Sequence, residues 1–160
     1  MTTPADIATR SVDLAAFTGQ QPRGDTLLSQ SLAEPAQGGM VVAGAAKLAQ
    51  RILLRLLTPA GGMRYRPTEG SSLLVGLRHG RIRTPADAHA AFAFDAARIE
   101  RTCAAEVTAA DPLDEILDQL TLESITLAPP NVVLRIKMTT KAGTNRPILL
   151  PVEVNRWPLK

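Results

Sequence analysis

Apolar residues recur at helical spacing along residues 45–57. Ala45, Leu48, Ala49, Ile52, Leu53 and Leu56 form one stripe, while Lys47, Gln50, Arg51 and Arg55 gather toward the other side. The pattern predicts a helix over about 44–57, with Leu48, Ile52 and Leu56 facing a core. Arg51 and Arg55, four positions apart, would share an exposed or partner-facing surface. Thr58-Pro59 and Gly61-Gly62 end it, because proline has no N–H for the helix and glycine favours a turn. Residues 73–83, punctuated by Gly76 and Gly80, read as a connector.

Thr84-Pro85-Ala86-Asp87 announces a second helix. Threonine can cap, proline fits the first turn, and the aspartate sits at the positive end of the helix dipole. It runs to about Glu106 with Phe92, Ala96, Ile99 and Cys103 as its buried stripe. A short acidic turn or helix, 113–119, leads into a sheet. Its clearest strand is 131–140, where Val132, Leu134, Ile136 and Met138 alternate with Val133, Arg135, Lys137 and Thr139. Residues 125–128 precede it across Pro129-Pro130, and 148–154 follow it across a turn at 141–145. Pro147 and Pro151 mark that last strand as an edge, since proline gives no hydrogen to a ladder. The expected architecture is α+β: two main helices packed on a small, mostly antiparallel sheet.

Residues 1–39 are broken by Pro4, Gly19, Pro22, Gly24, Pro35 and Gly38-Gly39 and carry only scattered apolar residues. They read as an extended arm preceding a single domain at 40–160.

Charge is unevenly spread. Residues 47–83 hold eight Lys or Arg against Glu69 alone, whereas residues 111–123 hold five acidic residues and no basic one. Such blocks suit either assembly with a neighbour or pairing within one fold. Met63, Arg64, Tyr65, Arg66 and Pro67 read as an extended cationic strap, whose guanidiniums need water or a partner. The single Cys103 excludes an internal disulfide, and no signal peptide or membrane-length apolar run is evident. The chain is expected in the cytosol, at least until assembly.

Chemistry is sparsely announced. His79 and His89 lie in different elements and read as surface positions, and Cys103 fits a buried stripe better than a nucleophile. Ser71-Ser72 lacks the frame of a nucleophile elbow, and the glycines before Lys47 match a phosphate loop only loosely. Asp111, Asp114, Glu115 and Asp118 could form a metal cup but lack the calcium-loop pattern, so docking of the acidic segment on a basic protein surface is preferred. No catalytic residue, metal ligand or cofactor is assigned. The basic cluster could bind phosphates, but only Tyr65 could stack among its residues.

The run Ala46-Lys47-Leu48-Ala49-Gln50-Arg51-Ile52-Leu53-Leu54-Arg55-Leu56-Leu57-Thr58-Pro59, then Gly61-Gly62, Tyr65-Arg66-Pro67 and Gly70, resembles the baseplate wedge and sheath-initiator family of phage T4 gene product 25. The resemblance covers residues 40–155, with its specific part in the first third. It implies a structural protein of contractile injection systems: phage tails, type VI secretion machines or tailocins. Members join the inner baseplate to the sheath and present a small sheet on which the first sheath ring is laid.

The resemblance further implies partners among baseplate wedge proteins, the sheath protein and tube or hub proteins, with six copies around the tail axis. It implies neither nucleic acid nor membrane as a partner, and a place in the virion tail baseplate or in a bacterial injection system. The family's Glu-Pro-Arg motif falls at Asp111-Pro112-Leu113, where leucine stands in place of arginine and offers apolar burial instead of directed hydrogen bonds. Interaction residues are then Gln50, Arg51, Arg55, Tyr65, Arg66, Pro67, Asp111, Pro112, Leu113, Arg135 and Lys137. The other readings are a cytosolic nucleic-acid-binding adaptor and a small hydrolase.

Overall fold

The computed structural model describes residues 13–14, 41–65, 69–128 and 131–153. Helix α1 (Gly44–Leu57) follows a two-residue strand, β2 (Val41–Val42), which pairs antiparallel with β1 (Asp13–Leu14). Apart from Asp13 and Leu14, the expected arm lies outside the described residues, as do Arg66 and Pro67 of the strap. The apolar stripe of α1 packs inward as its spacing predicts, with Leu48, Ile52, Leu53 and Leu56 buried.

Two expectations for this region need correction. The supposed connector contains a further helix, α2 (Ser72–Arg78), whose Leu73, Leu74 and Leu77 are buried. Four apolar residues in a seven-residue run supply a core face even at this short length, and Gly76 is tolerated inside it. Gln50 is buried instead of wet, since it lies beside Leu48 and Ala49 at the margin of a broad apolar stripe.

Helix α3 (Pro85–Glu106) has the foreseen start. Thr84 Oγ1 accepts from the N–H of Asp87 at 3.1 Å, and the Asp87 carboxylate accepts from the N–H of Thr84 at 3.0 Å. This reciprocal pairing satisfies donors that a helix start otherwise leaves orphaned. Ala88, Phe92, Ala96, Ile99 and Cys103 face the core.

One 3-10 turn (Leu113–Glu115) precedes a three-stranded antiparallel sheet in the order β3 (Leu117–Ala128), β4 (Asn131–Thr140), β5 (Asn145–Glu153). The first strand starts well before residue 125, taking in the last three residues, 117–119, of the supposed acidic turn. Its residues Asp118 and Glu123 fall at breaks in the register with β4. Bulges there let charged residues interrupt a strand without ending it. Val132, Leu134, Ile136 and Met138 turn into the core together with Ile148, Leu150 and Val152 of β5. The whole is an α+β fold with helices on one face of a small antiparallel sheet. Among the described residues no helix is long and apolar enough to cross a membrane.

Candidate interaction surface

Neither α1 nor α2 caps its own N-terminus with a side chain. Carboxylates from distant segments do it for them. Glu115 Oε1 accepts from the N–H of Gly44 at 3.0 Å, while its Oε2 accepts from Lys47 Nζ at 2.8 Å. Asp95, buried on α3, accepts from Ser71 Oγ at 2.8 Å, Ser72 Oγ at 3.0 Å, the N–H of Leu73 at 2.9 Å and Arg98 at 2.9 Å. Arg98 also donates to the carbonyl of Gly70. A helix N-terminus favours a negative charge, so both carboxylates complete a helix and tie it to another segment at once.

Burial opposes the charged form of Asp95, yet the bonds from Leu73, Ser71 and Arg98 outweigh it and hold the carboxyl below the usual aspartate range. The unfolded chain therefore binds this proton more readily than the folded one. Stability from Asp95 is present above about pH 4 and is lost as pH falls through the lower, folded-state value. The thermal midpoint is expected to drop on acidification below about pH 4, and to drop less steeply in Asp95→Asn. Circular dichroism melts from neutral pH downward check this; equal slopes in both proteins would place the acid lability elsewhere.

Arg51 and Arg55 do share a surface, but not an open one. Both reach Glu106 at the end of α3, Arg51 at 2.5 Å and Arg55 at 2.6 Å, and only 12% of the Arg55 side chain is exposed. Arg55 also lies 2.8 Å from the Cys103 sulfur. Burial pushes the Cys103 thiol up, with the nearby guanidiniums opposing. For Arg55, burial works against the charge, but the Glu106 bond overcomes it and its pKa is raised. The pair thus clamps α1 to α3.

Several carboxylates of the expected acidic docking face have partners within the molecule. Glu115 is buried on Lys47, Asp118 meets Lys141 at 3.1 Å, and Glu123 meets Arg135 at 3.1 Å. Asp111 accepts from the N–H and hydroxyl of Thr108 at 2.6 and 3.0 Å, which lowers its pKa. Of these ion pairs, Lys47–Glu115 joins the basic block to the acidic one, while Arg135 and Lys141 come from outside the basic block. Among the described residues no group of three or more His, Cys, Asp or Glu side chains could hold a metal ion.

The sequence-derived residues fall into three places. Arg51 and Asp111 line one small cleft with Leu48, Cys103, Glu106 and Glu115. The carbonyl of Pro112 starts the 3-10 turn, and Leu113 is 62% exposed beside it, with its carbonyl bonded to the N–H of Ala142. Tyr65, 90% exposed, stands apart in the loop between α1 and α2. Arg135 and Lys137 lie on the sheet face away from the core, half-buried.

The base of the Tyr65 loop is rigidly tied. Ser71 donates its N–H to the carbonyl of Thr58 at 2.6 Å, and Ala60 returns a bond to Ser71 at 3.1 Å. Gly70 has φ 103°, and a Cβ there would stand 2.5 Å from the Pro59 carbonyl oxygen, so this close crossing admits only glycine.

The sheet offers two edges of different character. Proline has no N–H for β4, so Pro147 and Pro151, paired with Lys137 and Val133, fit only with their nitrogens turned outward. The outer edge of β5 therefore lacks donors at both positions. That phase directs alternate residues of β4 toward β3, which leaves the N–H groups of Leu120, Leu122, Ile125 and Leu127 on the outer edge of β3. Leu120 bears this out by donating to Glu100 Oε1 of α3 at 2.8 Å. Helix α3 thus occupies the first part of the edge. Beyond the bulge at Glu123, residues 124–128 contain neither proline nor charge, and among the described residues nothing bonds to their outer side.

Sequence reasoning missed Asp95, Glu100, Glu106 and Glu115 as organisers and Phe94 as an exposed ring. Asp95 carried a signal: it shares the helical face of Ala88, Phe92 and Ile99, and an acid in an apolar stripe calls for buried donors. Compared with protein-family models, curated proteins and solved structures, the chain gives no match.

Proposed function

We propose that this chain is a structural component of the baseplate of a contractile tail or injection system, joining the inner baseplate to the sheath and starting sheath assembly by strand pairing. The observation that carries the reading is the half-open sheet: β5 is barred by two prolines, the first part of β3 is covered by Glu100, and among the described residues nothing bonds to the outer side of 124–128. A five-residue edge is about 17 Å long, enough for an extended arm of a sheath subunit to add as a fourth strand. Backbone groups give such an arm affinity, and Ile125 and Leu127 beside the edge set its register. The opposite, helical side then faces the wedge and hub proteins, in six copies around the axis. Arg51 and Arg55 serve that role by holding α1 rigid, while Tyr65 and Leu113 are the side chains that present themselves.

The test uses the orientation of the edge. Leu127→Pro removes an outward N–H without touching the β3–β4 ladder, whereas Leu127→Ala removes the same packing and keeps the donor. With both variants folded, the proline variant is expected to stop sheath growth on assembled baseplates and the alanine variant to permit it, as counted by electron microscopy. Full-length sheaths at normal yield on particles lacking this chain would sink the proposal.

A further inference from the structure

The chain has only five aromatic residues, and two of the three that are described stand in solvent. Tyr65 is 90% exposed and Phe94 63%, whereas Phe92, two residues away on α3, is buried. Leaving such rings in water forgoes the burial that makes aromatic residues valuable, and tyrosine with arginine is the pairing that dominates binding hot spots. Each exposed ring has a guanidinium beside it, Arg64 at 6.0 Å from the Tyr65 centroid and Arg98 at 5.9 Å from that of Phe94.

One contact ties the segments of the two pairs together. Arg98 reaches the carbonyl of Gly70, at the base of the loop that carries Arg64 and Tyr65. Arg101, seven residues beyond Phe94, lies on the same helical face and is exposed. Its Nε donates to the carbonyl of Ala97 at 3.3 Å, which leaves its charge unneutralised. Among the described residues no carboxylate pairs with Arg64 or Arg101, and the nearby Asp95 is enclosed and fully engaged.

We propose that Arg64, Tyr65, Phe94, Arg98 and Arg101 form a docking surface for an acidic segment of a partner protein that carries an apolar side chain between its carboxylates. Charge complementarity selects the acid, because Arg64 beside Tyr65 and Arg101 on the helical face of Phe94 have no carboxylate partner among the described residues. The apolar side chain packs on the exposed Tyr65 and Phe94 rings, each of which already has a guanidinium beside it. A protein segment fits better than a nucleic acid. Glu69 stands in the same loop and Arg98 is neutralised by Asp95, so the surface is not the continuous cationic track that a phosphate backbone follows. The inference stands apart from the sheath reading and holds whether or not the chain starts a sheath.

The test uses the full chain and three labelled probes in fluorescence anisotropy: a twelve-residue peptide of glutamate and leucine, its lysine-for-glutamate counterpart, and a twelve-nucleotide oligothymidine. The acidic probe is expected to bind, and its affinity to fall about tenfold or more in Phe94→Ala and in the double variant Arg64→Glu, Arg101→Glu. These side chains are exposed or half-buried, so unfolding midpoints should stay near that of the parent, and Phe94→Tyr should restore binding. The proposal is overturned by no preference for the acidic over the lysine probe, by affinity unchanged in the variants, or by tighter binding of the oligothymidine.

Discussion

Replacing Asp95 with alanine is expected to cost the fold about 3–5 kcal/mol, a large share of the stability of a domain this size. The carboxylate is fully buried and accepts four bonds, from Ser71, Ser72, the N–H of Leu73 and Arg98. Without it the start of α2 loses its acceptor, and the Arg98 charge is left half-buried beside a vacant space. Each orphaned donor carries a desolvation cost, and an unpaired charge carries more. Urea unfolding followed by far-ultraviolet circular dichroism measures the loss. A change under about 1 kcal/mol would mean that water replaces the carboxylate at little cost.

Ile136→Pro is expected to be as severe. This residue is at the centre of β4, paired with Leu122 on one side and Ile148 on the other, and none of its surface is exposed. Proline there deletes a ladder bond and forces its ring against a neighbouring strand, and the lost packing of isoleucine adds about 2–5 kcal/mol. The variant should fail to melt cooperatively. Val133→Glu supplies the contrast, since Val133 is 38% exposed on the opposite face of the same strand. It should keep a cooperative transition within about 1 kcal/mol of the parent. Cooperative melting of the proline variant near the parent midpoint would contradict the central place of β4.

What could be read from the sequence was whatever repeats with the period of an element. The stripe Leu48, Ile52, Leu56 located α1, Thr84-Pro85-Ala86-Asp87 located the start of α3, and the alternation from Val132 to Met138 located β4 with its faces. Helix α2 escaped because seven residues with two flanking glycines resemble a connector as much as a helix. The start of β3 escaped because bulges at Asp118 and Glu123 break its alternation.

The surface was harder to read, for a different reason. A charge in a sequence does not say what it faces. Arg55 and Glu106 are 51 residues apart, and the acidic block found its bases in Lys47 on α1, Arg135 on β4 and Lys141 in the turn after it. Phe94 beside Phe92 shows the same limit. One ring is core and the other is surface, and only the phase of α3 decides which.

The remote capping of α1 and α2 also sets an order of events during synthesis. Gly44 is made 71 residues before Glu115, and Ser71 is made 24 before Asp95. A ribosome therefore releases two short helices whose first turns have no acceptor until the rest of the domain emerges. They can flicker into shape but not settle, since isolated helices of this length are marginal in water. The arrival of α3 and then of the 3-10 turn locks both in quick succession. A fragment ending before residue 115 should accordingly remain unsettled, and the basic, apolar first half of the chain is exposed to wrong partners for as long as translation of the second half takes.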